Sequence, residues 1–128
     1  HFDTTRANIE FSEADAFDIP IREATQPALN YPFKGNLDTE KLEILIKKYG
    51  VKNIGAVILT VTNNSGGGQP VSMKNAREVS QVCKKYKVLF ILDCCRIAEN
   101  AYFIRYKEKG FEKKSYKEIA QEMFSLAD

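Results

Sequence analysis

Two continuous apolar runs dominate the pattern of hydrophobic and polar positions. Val88, Leu89, Phe90, Ile91 and Leu92 follow one another without a polar break, and the segment 53–62 contains a second run, GAVILTVT. Short runs without strict alternation predict strands covered by helices on both faces, as in a parallel sheet. Between them the spacing predicts a helix from Ser72 to about Tyr86, and after the second run two more, over 97–109 and 115–127. Strand, polar turn, helix, strand is the βαβ pattern, whose crossover is expected to be right-handed. Both polar turns, 63–70 and 93–96, then leave the same edge of the sheet.

Upstream the pattern is weaker. Asp38 is placed to cap a helix through about Tyr49, with Leu42, Leu45 and Ile46 facing the core and Gly50 at its end. Residues 2–10 read as a loop entering a helix capped by Thr4 or Thr5. Residues 16–21 read as a short strand closed by Pro20, and 25–36, with Pro27, Pro32 and Gly35, as an irregular connection. No internal repeat or low-complexity tract interrupts the chain.

The expected sheet makes its carboxyl edge the place to look for chemistry. Ligands of open α/β sheets bind outside that edge, so Asp93, followed three residues later by Arg96, is a candidate cofactor anchor. An aspartate there also suits the cap of the next helix, and capping preference alone favours that role. The glycines at 66–68 allow close approach to a ligand but fit neither phosphate-binding pattern. No Lys-Ser or Lys-Thr follows them, and GxGxxG with its acidic partner is not matched. Asn64 gains interest because its turn shares the edge with Asp93.

Composition narrows the classes. With 128 residues, 44% hydrophobic and 28% charged, the chain has one ordinary globular domain's worth of material. A net charge of +2, from 19 basic and 17 acidic residues, is too balanced for a nucleic-acid partner. Cys83, Cys94 and Cys95 have no metal-ligand spacing and His1 is the single histidine, so no metal site is expected. The cysteine usage suits a reducing, cytoplasmic setting. No stretch approaches the roughly 18 apolar residues of a membrane span, and no membrane partner is expected. The opening residues, HFDTTRANIEF, lack an initiator methionine and read as the middle of a longer protein.

A pyridoxal 5'-phosphate ring at the loaded edge would find matching groups. It needs a carboxylate opposite its ring nitrogen, which Asp93 offers, and donors near its phenolic oxygen, which Asn64 and Arg96 offer. Phe2 would serve as a flat neighbour for stacking, although a core role is the commoner fate of a phenylalanine.

Four motifs carry a resemblance: FDTTRA at 2–7, PFKGN at 32–36, GGQPVSM at 67–73 and AENAYFI at 98–104. In combination, and with FSLAD at 124–128, they resemble the β-eliminating lyases that cleave tryptophan or tyrosine. The resemblance implies an α/β fold, a partial parallel sheet of a fold-type-I (aspartate-aminotransferase-like) large domain, with 1–128 as one piece of that domain. It implies that Phe2 stacks on the cofactor ring and that Asn64 lies near the phenolic oxygen and the substrate carboxylate. Asp93 would partner the ring nitrogen and Arg96 the phenolic oxygen.

Asp3 stands where tryptophan-cleaving members resemble one another in carrying aspartate and tyrosine-cleaving members carry threonine. It would therefore be the catalytic acid assisting proton transfer at the indole leaving group; a turn or cap role is its plainer alternative. The implied parent reaction converts L-tryptophan and water to indole, pyruvate and ammonia, with L-tyrosine cleavage to phenol as the alternative. A homotetramer with a monovalent cation, K+, is implied as well.

Cys94 and Cys95 replace small or hydroxylated residues of the family, and Gly66 replaces an alanine. The family's Schiff-base lysine would follow Asp128 and its phosphate-binding glycine loop would precede His1, so the piece alone is expected to be inactive. A non-catalytic interaction module is the remaining alternative.

Overall fold

The computed structural model describes residues 3–128. In chain order it forms α1 (Asp3–Phe11), a 3-10 turn (Arg22–Thr25), α2 (Thr39–Tyr49), a second 3-10 turn (Val51–Asn53), β1 (Val57–Thr60), α3 (Met73–Tyr86), β2 (Phe90–Asp93), α4 (Ile97–Lys107) and α5 (Tyr116–Phe124). β1 and β2 pair in parallel with Val57 opposite Phe90 and Thr60 opposite Asp93, so both following turns do leave one edge.

α2, α3 and α5 begin where the sequence offers a cap. The Asp38 carboxylate accepts from Lys41 N at 3.0 Å, and Gly50, at φ +80°, ends α2 with its N–H on the Ile46 carbonyl. Ser72 is the cap of α3 rather than its first residue, accepting from Asn75 N at 3.0 Å. The two carboxylate oxygens of Glu108 take the next free donors of α3, Met73 N at 2.7 Å and Lys74 N at 2.8 Å. This capping explains why α4 stops at Lys107, two residues before the expected end. Ser115 and Glu118 form a reciprocal capping box that starts α5. The hydrogen bonds from Ser115 hold the Glu118 carboxyl below the usual carboxylate range.

α1 and residues 16–21 depart from expectation. The first helix already runs from Asp3, so Thr4 and Thr5 lie inside its first turn instead of capping it. Residues 16–21 form no strand; only an isolated antiparallel bridge joins Pro20 to Leu37. Proline has no N–H to give a ladder, so the pairing ends there.

The core gathers Ile46, Leu59, Val61, Val79, Phe90, Ile104, Ile119 and Met123, all nearly or fully buried. α2 packs on α3, and α4 on α5. Two-residue alternation sends Val57, Leu59 and Phe90 into this core, while Leu89 and Ile91 stay 48% and 40% exposed. The expectation of helices on both faces therefore fails for this chain: among the described residues only one face of β2 is covered. No described helix is long and apolar enough to cross a membrane.

Candidate functional site

The site is built where β1 and β2 end. Asp93 closes β2 half-buried, and its carboxylate accepts from Thr60 Oγ1 at 3.4 Å, across the register pair. It does not cap the next helix; the cap position of α4 is Arg96, which makes no side-chain capping bond. Arg96 is half-buried, and its guanidinium has no carboxylate partner among the described residues. Its carbonyl accepts from Thr62 Oγ1 at 3.0 Å, tying the two turns together.

The polar turn after β1 closes on itself. Asn63 and Gln69 form an isolated antiparallel bridge, and Gly68 N donates to the Asn63 carbonyl at 2.8 Å. Ser65 N donates to Asn63 Oδ1 at 2.9 Å and Gly67 N to the Asn64 carbonyl at 2.9 Å. Gly67 and Gly68 sit at φ +78° and +68°, where a side chain is strained. Gly66 is different: a Cβ there would meet nothing closer than 3.6 Å, so the alanine of the related pattern fits. Asn64 is exposed at the tip of this loop.

Asp3 reaches the same loop from α1, its carboxylate accepting from Ser65 Oγ at 3.3 Å. An open cleft of about 460 Å³ lies beside this contact, lined by Asp3, Arg6, Ile58, Thr60, Asn63 and Ser65 among others. The structure thus brings Asp3 to the Asn64 loop, and Asp93 to the strand end beneath it through Thr60. Asp93 itself is not on the cleft wall. Phe2 lies outside the described residues.

Neighbouring thiols take no evident part in chemistry. Burial, then the charge of Asp93, pushes the Cys94 thiol up to about 11, so it stays protonated at neutral pH. No group of three or more His, Cys, Asp or Glu among the described residues could hold a metal ion.

Sequence reasoning missed the groups that hold the edge in place. Thr60 stands opposite Asp93 in register, and its hydroxyl at the end of an apolar run was the available signal. Gly35 donates its N–H to the Pro70 carbonyl at 3.0 Å and lies so close to the loop that a Cβ would stand 2.4 Å from the Gln69 carbonyl oxygen. Nothing in the local pattern of PFKGN announces that contact.

The family model described as beta-eliminating lyase matches residues 1–128. Over all 128 residues the chain is 50% identical to the tryptophanase of Hyphomonas neptunium and 52% identical to that of Salinibacter ruber. It is 47% identical over the same residues to the tyrosine phenol-lyase of Fusobacterium nucleatum. These alignments cover 28%, 27% and 28% of the relatives, so the chain spans little more than a quarter of their length. With the family model matched along the whole chain, the chain belongs to the beta-eliminating lyase family.

Proposed function

We propose that these residues form part of a pyridoxal-phosphate-dependent lyase that converts L-tryptophan and water to indole, pyruvate and ammonia. The observation that carries the substrate reading is Asp3, an acid whose carboxylate stands on the cleft against Ser65 of the Asn64 loop. An acid there is available to move a proton at the leaving indole ring, a role a threonine cannot fill.

The donor set at the sheet edge fits the cofactor: a carboxylate oriented by one hydroxyl, an exposed amide and a guanidinium without a carboxylate partner among the described residues. Asp93 holds a proton on the ring nitrogen, with Thr60 fixing the carboxylate. Asn64 and Arg96 donate to the phenolic oxygen, Asn64 also to the substrate carboxylate, and Phe2 stacks on the ring. Bound there, pyridoxal phosphate supplies the electron sink that the bond cleavage needs. In this reading the lysine that anchors the cofactor covalently lies outside these 128 residues, which are one piece of a large cofactor-binding domain and inactive by themselves. The complete enzyme is a cytoplasmic homotetramer that uses K+.

Tyrosine cleavage is the second reading, favoured by 47% identity to a tyrosine phenol-lyase over the same residues. The test is to supply the full-length enzyme with each amino acid and measure pyruvate, with indole or phenol. Indole from tryptophan at the higher kcat/KM is expected, and Asp3→Thr should lower it by roughly a hundredfold or more. Phenol from tyrosine at the higher kcat/KM, or an unchanged preference in Asp3→Thr, rejects the assignment. Absence of any pyruvate rejects the lyase reading and leaves an interaction module.

A further inference from the structure

We propose that Asn100 is a positioning residue: its buried amide clamps both ends of the loop 62–71 to α4 and thereby fixes Asn64 relative to Arg96. Asn100 is fully buried one helical turn beyond Arg96 and does not line the cleft. Its Oδ1 accepts from Val71 N at 2.8 Å, and its Nδ2 donates to the Val71 carbonyl at 3.0 Å. The side chain thus pairs with Val71 as a neighbouring strand would, at the point where the loop returns. The same Oδ1 accepts from Thr62 Oγ1 at 3.4 Å, at the point where the loop leaves β1. The second amide hydrogen lies toward Met123 Sδ at 3.7 Å, which uses the remaining donor.

Thr62 gives this clamp its direction. It sits at φ +53°, a left-handed conformation that a β-branched residue adopts only where surrounding contacts impose it. Its hydroxyl lies between the Arg96 carbonyl and Asn100 Oδ1. Asn100 N also donates to that Arg96 carbonyl, at 3.1 Å. One buried knot therefore holds the start of α4, the entry of the loop and its exit, and the loop itself is closed by the Asn63 to Gln69 bridge. Asn64 is two residues from Thr62, so a shift at the knot moves its amide against the Arg96 guanidinium.

The catalytic consequence rests on the proposed cofactor position between Asn64 and Arg96. The test uses the full-length enzyme with Asn100→Asp, which keeps shape and the acceptor but loses both donors, and with Thr62→Val and Thr62→Ser. Ile119→Val, in the buried face of α5, is the control for destabilisation alone. Amide hydrogen exchange is read at Val71 and along 63–71, beside the absorption band of added pyridoxal phosphate, its pH midpoint, and kcat and KM.

Loss of these buried bonds should accelerate exchange across 63–71 by roughly tenfold to a hundredfold relative to the control. It should also displace the cofactor band's pH midpoint and lower kcat more than it raises KM, with Thr62→Ser retaining most of what Thr62→Val loses. Exchange no faster in 63–71 than in the control, or equal loss in Thr62→Ser and Thr62→Val, overturns the clamp. A wild-type enzyme that binds no pyridoxal phosphate overturns the cofactor reading instead, and the exchange comparison still decides the clamp.

Discussion

The two sides of the cleft are built by different physics. On one side, β1, β2 and the turns after them stand on a core of buried residues, with Leu59 and Phe90 inward and Thr60, Thr62 and Asn100 hydrogen-bonded below the surface. On the other, α1 has no buried residue at all. It is held by exposed polar contacts, Arg6 to Asp18 at 2.5 Å and Asp3 to Ser65 at 3.3 Å, while Arg6 to Glu10 at 2.8 Å is a pair within the helix itself. Asn64, Asp93 and Arg96, proposed for the cofactor, lie on the first side, and Asp3, proposed for substrate choice, lies on the second. A scaffold of this kind lets the substrate side vary while the cofactor side stays fixed, because surface pairs change at little cost and packed cores do not.

Substitutions in the intact protein can break that contrast. The largest effect is expected from Ile119→Ala, which empties a fully buried site under α4 and should cost about 2–5 kcal/mol in thermal or denaturant unfolding. Gly35→Ala comes next. Its Cβ would press on the Gln69 and Pro70 backbone, which should cost roughly 1–3 kcal/mol and weaken cofactor binding with no change in any cofactor contact. The smallest is Arg6→Ala. Loss of exposed pairs should change stability by about 1 kcal/mol or less, an effect that fades as salt is raised. Its trace should appear in the tryptophan to tyrosine ratio instead, because α1 carries Asp3. An Arg6→Ala enzyme as unstable as Ile119→Ala would show that α1 is packed as firmly as the rest.

The chain itself announced the framework more readily than its fastenings. Both apolar runs became paired strands, and Asp38, Gly50 and Ser115 delimit helices because caps are local chemistry. The loaded edge was legible for the same reason: a parallel pair in register must send both turns the same way. What stayed hidden depends on contacts distant in sequence. Glu108 leaves α4 to cap α3 across 35 residues, and Asn100 reaches back 29 residues to Val71. The covering of both faces was overread, since an uninterrupted apolar run says that a strand is apolar on both sides without saying what lies on each. The role of Asp93 shows the opposite case. Capping preference pointed to the start of α4, and the structure instead pairs Asp93 with Thr60 across the register and leaves the cap position to Arg96.

The parallel pairing also has a timetable. Thr60 and Asp93 are separated by 33 residues, and no shorter connection brings the two strands side by side. At synthesis rates of about 5–20 residues per second, β1 leaves the ribosome roughly two to seven seconds before its partner. α2 and α3 emerge first and can shield its apolar face against each other, but the backbone edge of β1 must wait. The nascent chain thus passes through an interval in which the side of β1 that β2 will cover is open to chaperones or to a neighbouring copy.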